Sequence, residues 1–147
     1  MTYGFTYVPH GRINLVLPQL LPYLYKSEFW TKSRANVDDL IGFLYSGVMH
    51  LWCIYEEEEP KRIVGYVITE IKHYPKQKML VWQYGSGDTG VMEKVDDLVV
   101  GTIEKFAIDA KCDGIEIIGR PGWRRQAKKY GFESPGVIYD KFFNPAK

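Results

Sequence analysis

The chain has 147 residues, a net charge of +1, 46% hydrophobic and 15% aromatic side chains. That length predicts one domain spanning 1–147, against a usual size of roughly 100–200 residues, and that composition excludes a disordered chain. Near-neutral charge provides no global field for nucleic acid or an anionic membrane, no apolar run nears the ~20 residues of a membrane-spanning helix, and no secretory pattern opens the sequence.

In chain order, Tyr3 to Val8 predicts a first strand, its aromatics alternating with smaller residues. Ile13 to Trp30 predicts helix, with breaks at Pro18 and Pro22 because each proline removes an amide donor and crowds the preceding turn. Asn36 is a candidate N-cap for a helix over Val37 to Tyr45, with Asp38 and Asp39 in its positive first turn, and Gly47 stops it. Three strands follow: His50 to Glu56, Arg62 to His73 and Lys78 to Tyr84. The second is almost continuously apolar at first, as expected of a strand buried on both faces. Glu57 to Lys61 is a solvated hairpin connection and Tyr74-Pro75-Lys76 a turn. The stretch Gly85-Ser86-Gly87-Asp88-Thr89-Gly90 predicts a glycine-rich loop. A long helix then carries Val91, Val95, Leu98, Val99, Ile103, Phe106, Ala107 and Ala110 on one side. Asp113-Gly114 ends it, and Ile115 to Ile118 is a short strand. Gly119-Arg120-Pro121-Gly122 turns into a short helix from Trp123, closed by Gly131-Phe132, and Val137 to Phe143 is the last strand.

Metal and hydrolase chemistry find no motif. His10, His50 and His73 are scattered, Cys53 and Cys112 lack ligand spacing, and neither Gly-x-Ser-x-Gly nor a P-loop occurs. The two cysteines predict free, buried thiols in a cytoplasmic protein.

This order of elements, the glycine-rich turn before the long helix, and the ending Lys129-Tyr130-Gly131-Phe132 resemble the GNAT (GCN5-related N-acetyltransferase) superfamily over nearly the whole chain. The resemblance implies an α+β fold of three α/β/α layers, a mixed, mostly antiparallel sheet flanked by helices. It implies an acetyl-CoA-dependent N-acyltransferase with an unknown amine acceptor. Gly85, Ser86, Gly87, Thr89 and Gly90 would cradle the CoA pyrophosphate, since glycine admits the phosphate to the backbone and a helix N-terminus favours an anion. Glu70 is the candidate base, with Glu116 a weaker one, and a Glu in an apolar strand is a candidate for a raised pKa. Tyr23, Tyr25, Phe29 and Trp30 fall where the family builds its acceptor pocket.

The departures from the family pattern matter equally. The family's loop has a leading Gln or Arg; here Gln83 stands one residue out of register, and Asp88 stands where phosphates should lie. A carboxylate there repels a phosphate unless it turns outward, and the nearest cation in sequence is Lys94. The tyrosine that protonates the departing thiolate in many members corresponds to Ala127, which leaves Tyr130 as the candidate acid. The family's asparagine near the fifth strand falls near Arg120. The basic helix carries Arg120, Arg124, Arg125, Lys128 and Lys129 around Trp123, and Arg120 and Arg124 are candidate CoA phosphate contacts. The alternative reading is a solvated helix face with Trp123 packed beneath it. The altered positions also support a second function: a catalytically inactive GNAT-fold module for binding or assembly. Gly119-Arg120-Pro121-Gly122-Trp123 resembles small GNAT-like proteins of tailed bacteriophages, which implies a partner in a phage particle and a location in the host cytoplasm or the virion.

Overall fold

A computed structural model describes residues 2–27, 34–119 and 123–143. Five strands form one sheet in the order β1 (Tyr3–Val8), β2 (His50–Glu56), β3 (Ile63–His73), β4 (Lys78–Gly87), β5 (Gly114–Ile117). The first three pairings are antiparallel and β4 pairs β5 in parallel. The parallel step needs a crossover, and α3 (Val91–Asp109) supplies it. This is the α+β architecture expected from the order of elements.

Two cores sandwich the sheet. On one face, α3 buries Val91, Val95, Val99, Ile103 and Ala107 against Trp52, Val67, Leu80 and Trp82. The short α4 (Arg124–Lys129) joins this side through flanking Trp123 and Tyr130. On the other, α1 (Ile13–Ser27) and α2 (Val37–Ser46) bury Leu20, Leu24, Leu40 and Leu44 against Leu51, Cys53, Tyr66 and Ile68. The expected helix face of α3 needs one exchange: Leu98 is exposed and Val100 is buried. The α2 start has a complete capping box between Asn36 and Asp39, and Gly47 ends the helix at φ +82°.

Three expectations fail, each for a physical reason. Helix α1 runs unbroken through Pro18 and Pro22. Both prolines are exposed, as is Asn14 one turn earlier, so the carbonyls that lose a donor face water while Ile13, Leu20 and Leu24 hold the buried face. Half of the expected glycine loop is strand: Gly85, Ser86 and Gly87 pair with Val67, Tyr66 and Gly65. Gly65 and Gly87 oppose each other so closely that a Cβ on Gly87 would lie 2.9 Å from the Val64 carbonyl oxygen. The expected strand Val137 to Phe143 has no regular structure and pairs with nothing among the described residues.

Candidate active site

The site begins where two strands part. Strand β4 follows β5 only from Met79 to Trp82, opposite Gly114 to Ile117. The Ile118 amide donates to the Trp82 carbonyl at 3.0 Å, and there the pairing ends. Gln83 to Gly87 continue along β3, so their other edge has no strand partner among the described residues. A bulge at Ile68/Thr69 makes Gln83 the extra residue of β4. It re-aims the strand: Trp82 packs on the α3 side and Tyr84 on the α1/α2 side.

Beside the bulge stands Glu70, half-buried on β3, accepting a 2.5 Å hydrogen bond from Gln83 Nε2. Glu70, Val81 and Glu116 are in register across β3, β4 and β5, so both carboxylates stand on one face. The Tyr74 hydroxyl donates to Glu116 at 2.9 Å, which raises the phenol's pKa. Burial, then the nearby Glu70 charge, raises that of Tyr84.

At the far end of β4 the loop proper is Asp88 to Gly90. The Asp88 amide donates to Val64 O at 2.9 Å and the Val91 amide to Asp88 O at 3.1 Å. Gly90 sits at φ +81° with open space around it, and no side chain caps α3. Beyond Val91, its first-turn amides have no side-chain cap and form a positive helix end. The Asp88 carboxylate is drawn to α1 and the start of β3: it accepts from the Tyr23 hydroxyl at 2.9 Å and meets Arg62 at 3.5 Å. Burial and then Asp88 push the Tyr23 hydroxyl up to about 12, so it stays a donor. Lys26 Nζ donates to Gly87 O at 3.2 Å. Thus Asp88 turns aside, and Lys26 and Arg62, not Lys94, bring the compensating cations. Nothing in the sequence links positions 23, 26, 62 and 88; only the crossing of α1 over the β3/β4 end does.

The other wall differs. Trp123 meets Trp82 edge-to-face, with centroids 5.5 Å apart and planes at 74°. Between Trp82, Val100, Ile117, Trp123 and Ala127 remains a gap of about 10 Å³, room for one water at most. Tyr130 turns its hydroxyl away, donating to Asp97 of α3. Burial, then Asp97 and Asp96, raise its pKa, so its proton is tightly held. Arg124, Arg125 and Lys128 are exposed above the packed Trp123, matching the solvated-face reading of this helix. Arg120, Phe29 and Trp30 lie outside the described residues; Tyr25 is exposed. Cys53 is buried, which pushes its thiol up to about 12, and Cys112 is half-buried; both are free. No metal-binding group occurs among the described residues, and no described helix is long and apolar enough to cross a membrane.

No protein-family model matches the chain, and no curated protein matches it in sequence. Solved structures do. A predicted acetyltransferase from Clostridium acetobutylicum, crystallised with acetyl-CoA, superposes with a TM-score of 0.67 at 13% identity, covering 96% of both chains. Glucosamine-6-phosphate N-acetyltransferase from Arabidopsis thaliana gives 0.65 at 13%, over 97% of this chain and 99% of that one. An aminoglycoside acetyltransferase from an uncultured soil sample gives 0.64 at 14%, over 95% and 96%. The five-stranded sheet between helical layers is thus a fold shared with these acetyltransferases. More particularly, the chain has the fold of the GNAT acetyltransferases.

Proposed function

We propose that the protein is an acyl-CoA-dependent N-acyltransferase acting on an amine acceptor, most simply with acetyl-CoA. The observation that carries this reading is the parting of β4 from β5 at Trp82/Ile117, which leads along a free strand edge to an uncapped helix N-terminus. The residues there suit a CoA pyrophosphate: Thr89 and Gly90 leave the backbone exposed, Asp88 is turned aside, and Lys26 and Arg62 stand next to the loop. Gly85, Ser86 and Gly87 would present their free edge to the pantetheine arm; Arg124 and Arg120 remain proposals for the outer phosphate. The cofactor supplies a thioester carbonyl whose sulfur can depart.

Glu70 is the proposed base. It takes a proton from the acceptor ammonium, directly or through water, and Gln83 fixes its carboxylate for that task. Tyr130 is a poor acid while it is bound to Asp97, so water is the proposed proton source for the thiolate. Tyr23, with Asp88 and Arg62, holds the loop.

The second reading, an inactive GNAT-fold module for binding or assembly, is favoured by one observation: Ala127 and the Trp82/Trp123 contact fill the α4 wall, and the Tyr130 hydroxyl there is already bonded to Asp97. Titration calorimetry with acetyl-CoA and free CoA separates the two. Micromolar binding that Thr89→Glu weakens at least tenfold, with an unchanged melting temperature, supports the enzyme. No heat with either ligand, and no thermal shift, leaves the module.

A further inference from the structure

Strand β3 hides a polar side chain where it bulges. Thr69 has no exposed surface, and in the strand register it stands between His50 of β2 and Trp82 of β4. Its hydroxyl oxygen lies 3.0 Å from Trp52 Nε1 and 3.1 Å from His50 Nδ1. An indole N–H only donates, so Thr69 accepts from Trp52. The single hydroxyl proton must then go elsewhere. The site is closed to solvent, and among the described residues His50 Nδ1 is the acceptor within reach. Counting donors thus assigns the His50 tautomer: Nδ1 is bare and accepting, and Nε2 carries the proton. Donation runs from Trp52 to Thr69 to His50.

This chain of bonds lies directly behind Glu70. Thr69 points to the α3 side, where it meets Trp52, and Glu70 leaves the other face, toward Tyr84. The bulge at Ile68/Thr69 sets that departure and brings Gln83 against Glu70. Thr69 is β-branched and stiff, so holding its hydroxyl at two points fixes the backbone from which Glu70 emerges. Phe106 of α3 stands edge-on to the His50 and Trp52 rings, at 5.4 and 5.1 Å, and Tyr7 of β1 lies 6.4 Å from His50. The charge acting on His50 among these neighbours is the Glu70 carboxylate, which favours the imidazolium, while burial opposes it. A proton on Nδ1 would reverse the last bond. Thr69 would then face two donors, and its own proton would have no acceptor in a closed site, which is costly.

We propose that Thr69 and His50 are positioning residues for Glu70. With His50 neutral and protonated on Nε2, Thr69 ties β2 to β3 at the bulge and holds the Glu70–Gln83 pair in place; protonation of His50 releases it. Only the consequence for turnover rests on the acyltransferase reading, since the brace itself is visible in spectra without any ligand.

Nuclear magnetic resonance of the isotope-labelled protein, titrated from pH about 8 to about 5 across the histidine range, tests it. At neutral pH the His50 ring should show a bare Nδ1 and a protonated Nε2, and the Trp52 indole N–H should exchange slowly. Through the His50 midpoint, the Trp52 indole and the Gln83 side-chain amide should move together with the imidazole. The Glu70 carboxyl carbon is followed separately, so that its own titration is not mistaken for this one. His50→Asn sets an amide oxygen where Nδ1 stood and cannot titrate, so both signals should hold still over that range. Thr69→Ser should behave as the wild type, whereas in Thr69→Val the Gln83 amide should no longer follow His50. Under the acyltransferase reading, kcat in Thr69→Val should fall toward the ~10²-fold cost of a misplaced group, with acetyl-CoA affinity unchanged. If Thr69→Val does not fold, the wild-type titration and His50→Asn decide. A proton on Nδ1 at neutral pH overturns the proposal, as does a Gln83 amide that ignores the His50 titration or follows it equally in Thr69→Val. A wild type without turnover overturns the acyltransferase reading alone, and the spectra still decide the brace.

Discussion

The two walls of the candidate site, on either side of the point where β4 and β5 part, are made of different chemistry. The β3/β4 wall is polar and bonded: Gln83 holds Glu70, Tyr23 and Arg62 hold Asp88, and Lys26 holds the Gly87 carbonyl. The β5/α4 wall is apolar: Trp123 against Trp82, with Ala127 at a gap of about 10 Å³ and the one nearby phenol turned to Asp97. A site that binds an anion and removes a proton needs fixed dipoles and charges, which the first wall has. A site that returns a proton to sulfur needs a free donor, and the phenol on the second wall is already bonded to Asp97. The comparison teaches that fixed charges and dipoles are gathered on one side of the parted strands and aromatic packing on the other.

The largest effect should come from the polar wall. Glu70→Gln keeps a partner for Gln83 but cannot take a proton; under the enzyme reading kcat falls by about 10²–10⁴ while acetyl-CoA affinity holds, as steady-state kinetics and calorimetry would show. Unchanged turnover would remove Glu70 from the mechanism. Trp123→Ala attacks the apolar wall. Its stability cost should stay below the roughly 3–5 kcal/mol of a fully buried tryptophan, since Trp123 is half-buried. If acetyl-CoA binding strengthens in that variant, Trp123 is a plug; if it is unchanged, the indole is only wall.

Gly87→Val distinguishes a structural glycine from a ligand-binding one. Its Cβ would press on Val64 O at 2.9 Å and Gly65 Cα at 3.3 Å, so urea denaturation should report a loss of about 1–3 kcal/mol even without ligand. A full-stability variant would show that β3 and β4 can part there. The smallest effect lies at the edge of the polar wall, at His50, which bonds Thr69 beside Glu70; burial holds its pKa below the ordinary 6.5 against the opposing pull of the Glu70 carboxylate. As pH falls below that value, the unfolded chain takes up a proton the folded one resists, so stability drops toward acid. His50→Gln should flatten this part of the melting temperature's pH profile.

Much of the frame was legible because local chemistry is sufficient for it. Asn36 caps α2 and Gly47 ends it through bonds within a few residues, and the apolar spacing of α3 reports its buried face nearly residue by residue. Glu70 could be picked out as a charged residue on an otherwise apolar strand. The prolines of α1 misled because sequence gives their presence but not the side of the helix that meets water.

The sequence by itself determined the order of elements from β1 to α4, since each depends largely on neighbours along the chain. Only the tertiary structure decided that Asp88 turns to Tyr23 and Arg62, that Gly85 to Gly87 belong to β4, that Tyr130 is bound to Asp97, and that residues 137–143 pair with no strand among the described residues. Each of those depends on groups brought together from distant positions. The free energy of such a contact is set by packing and charge at the meeting point, which no local pattern encodes.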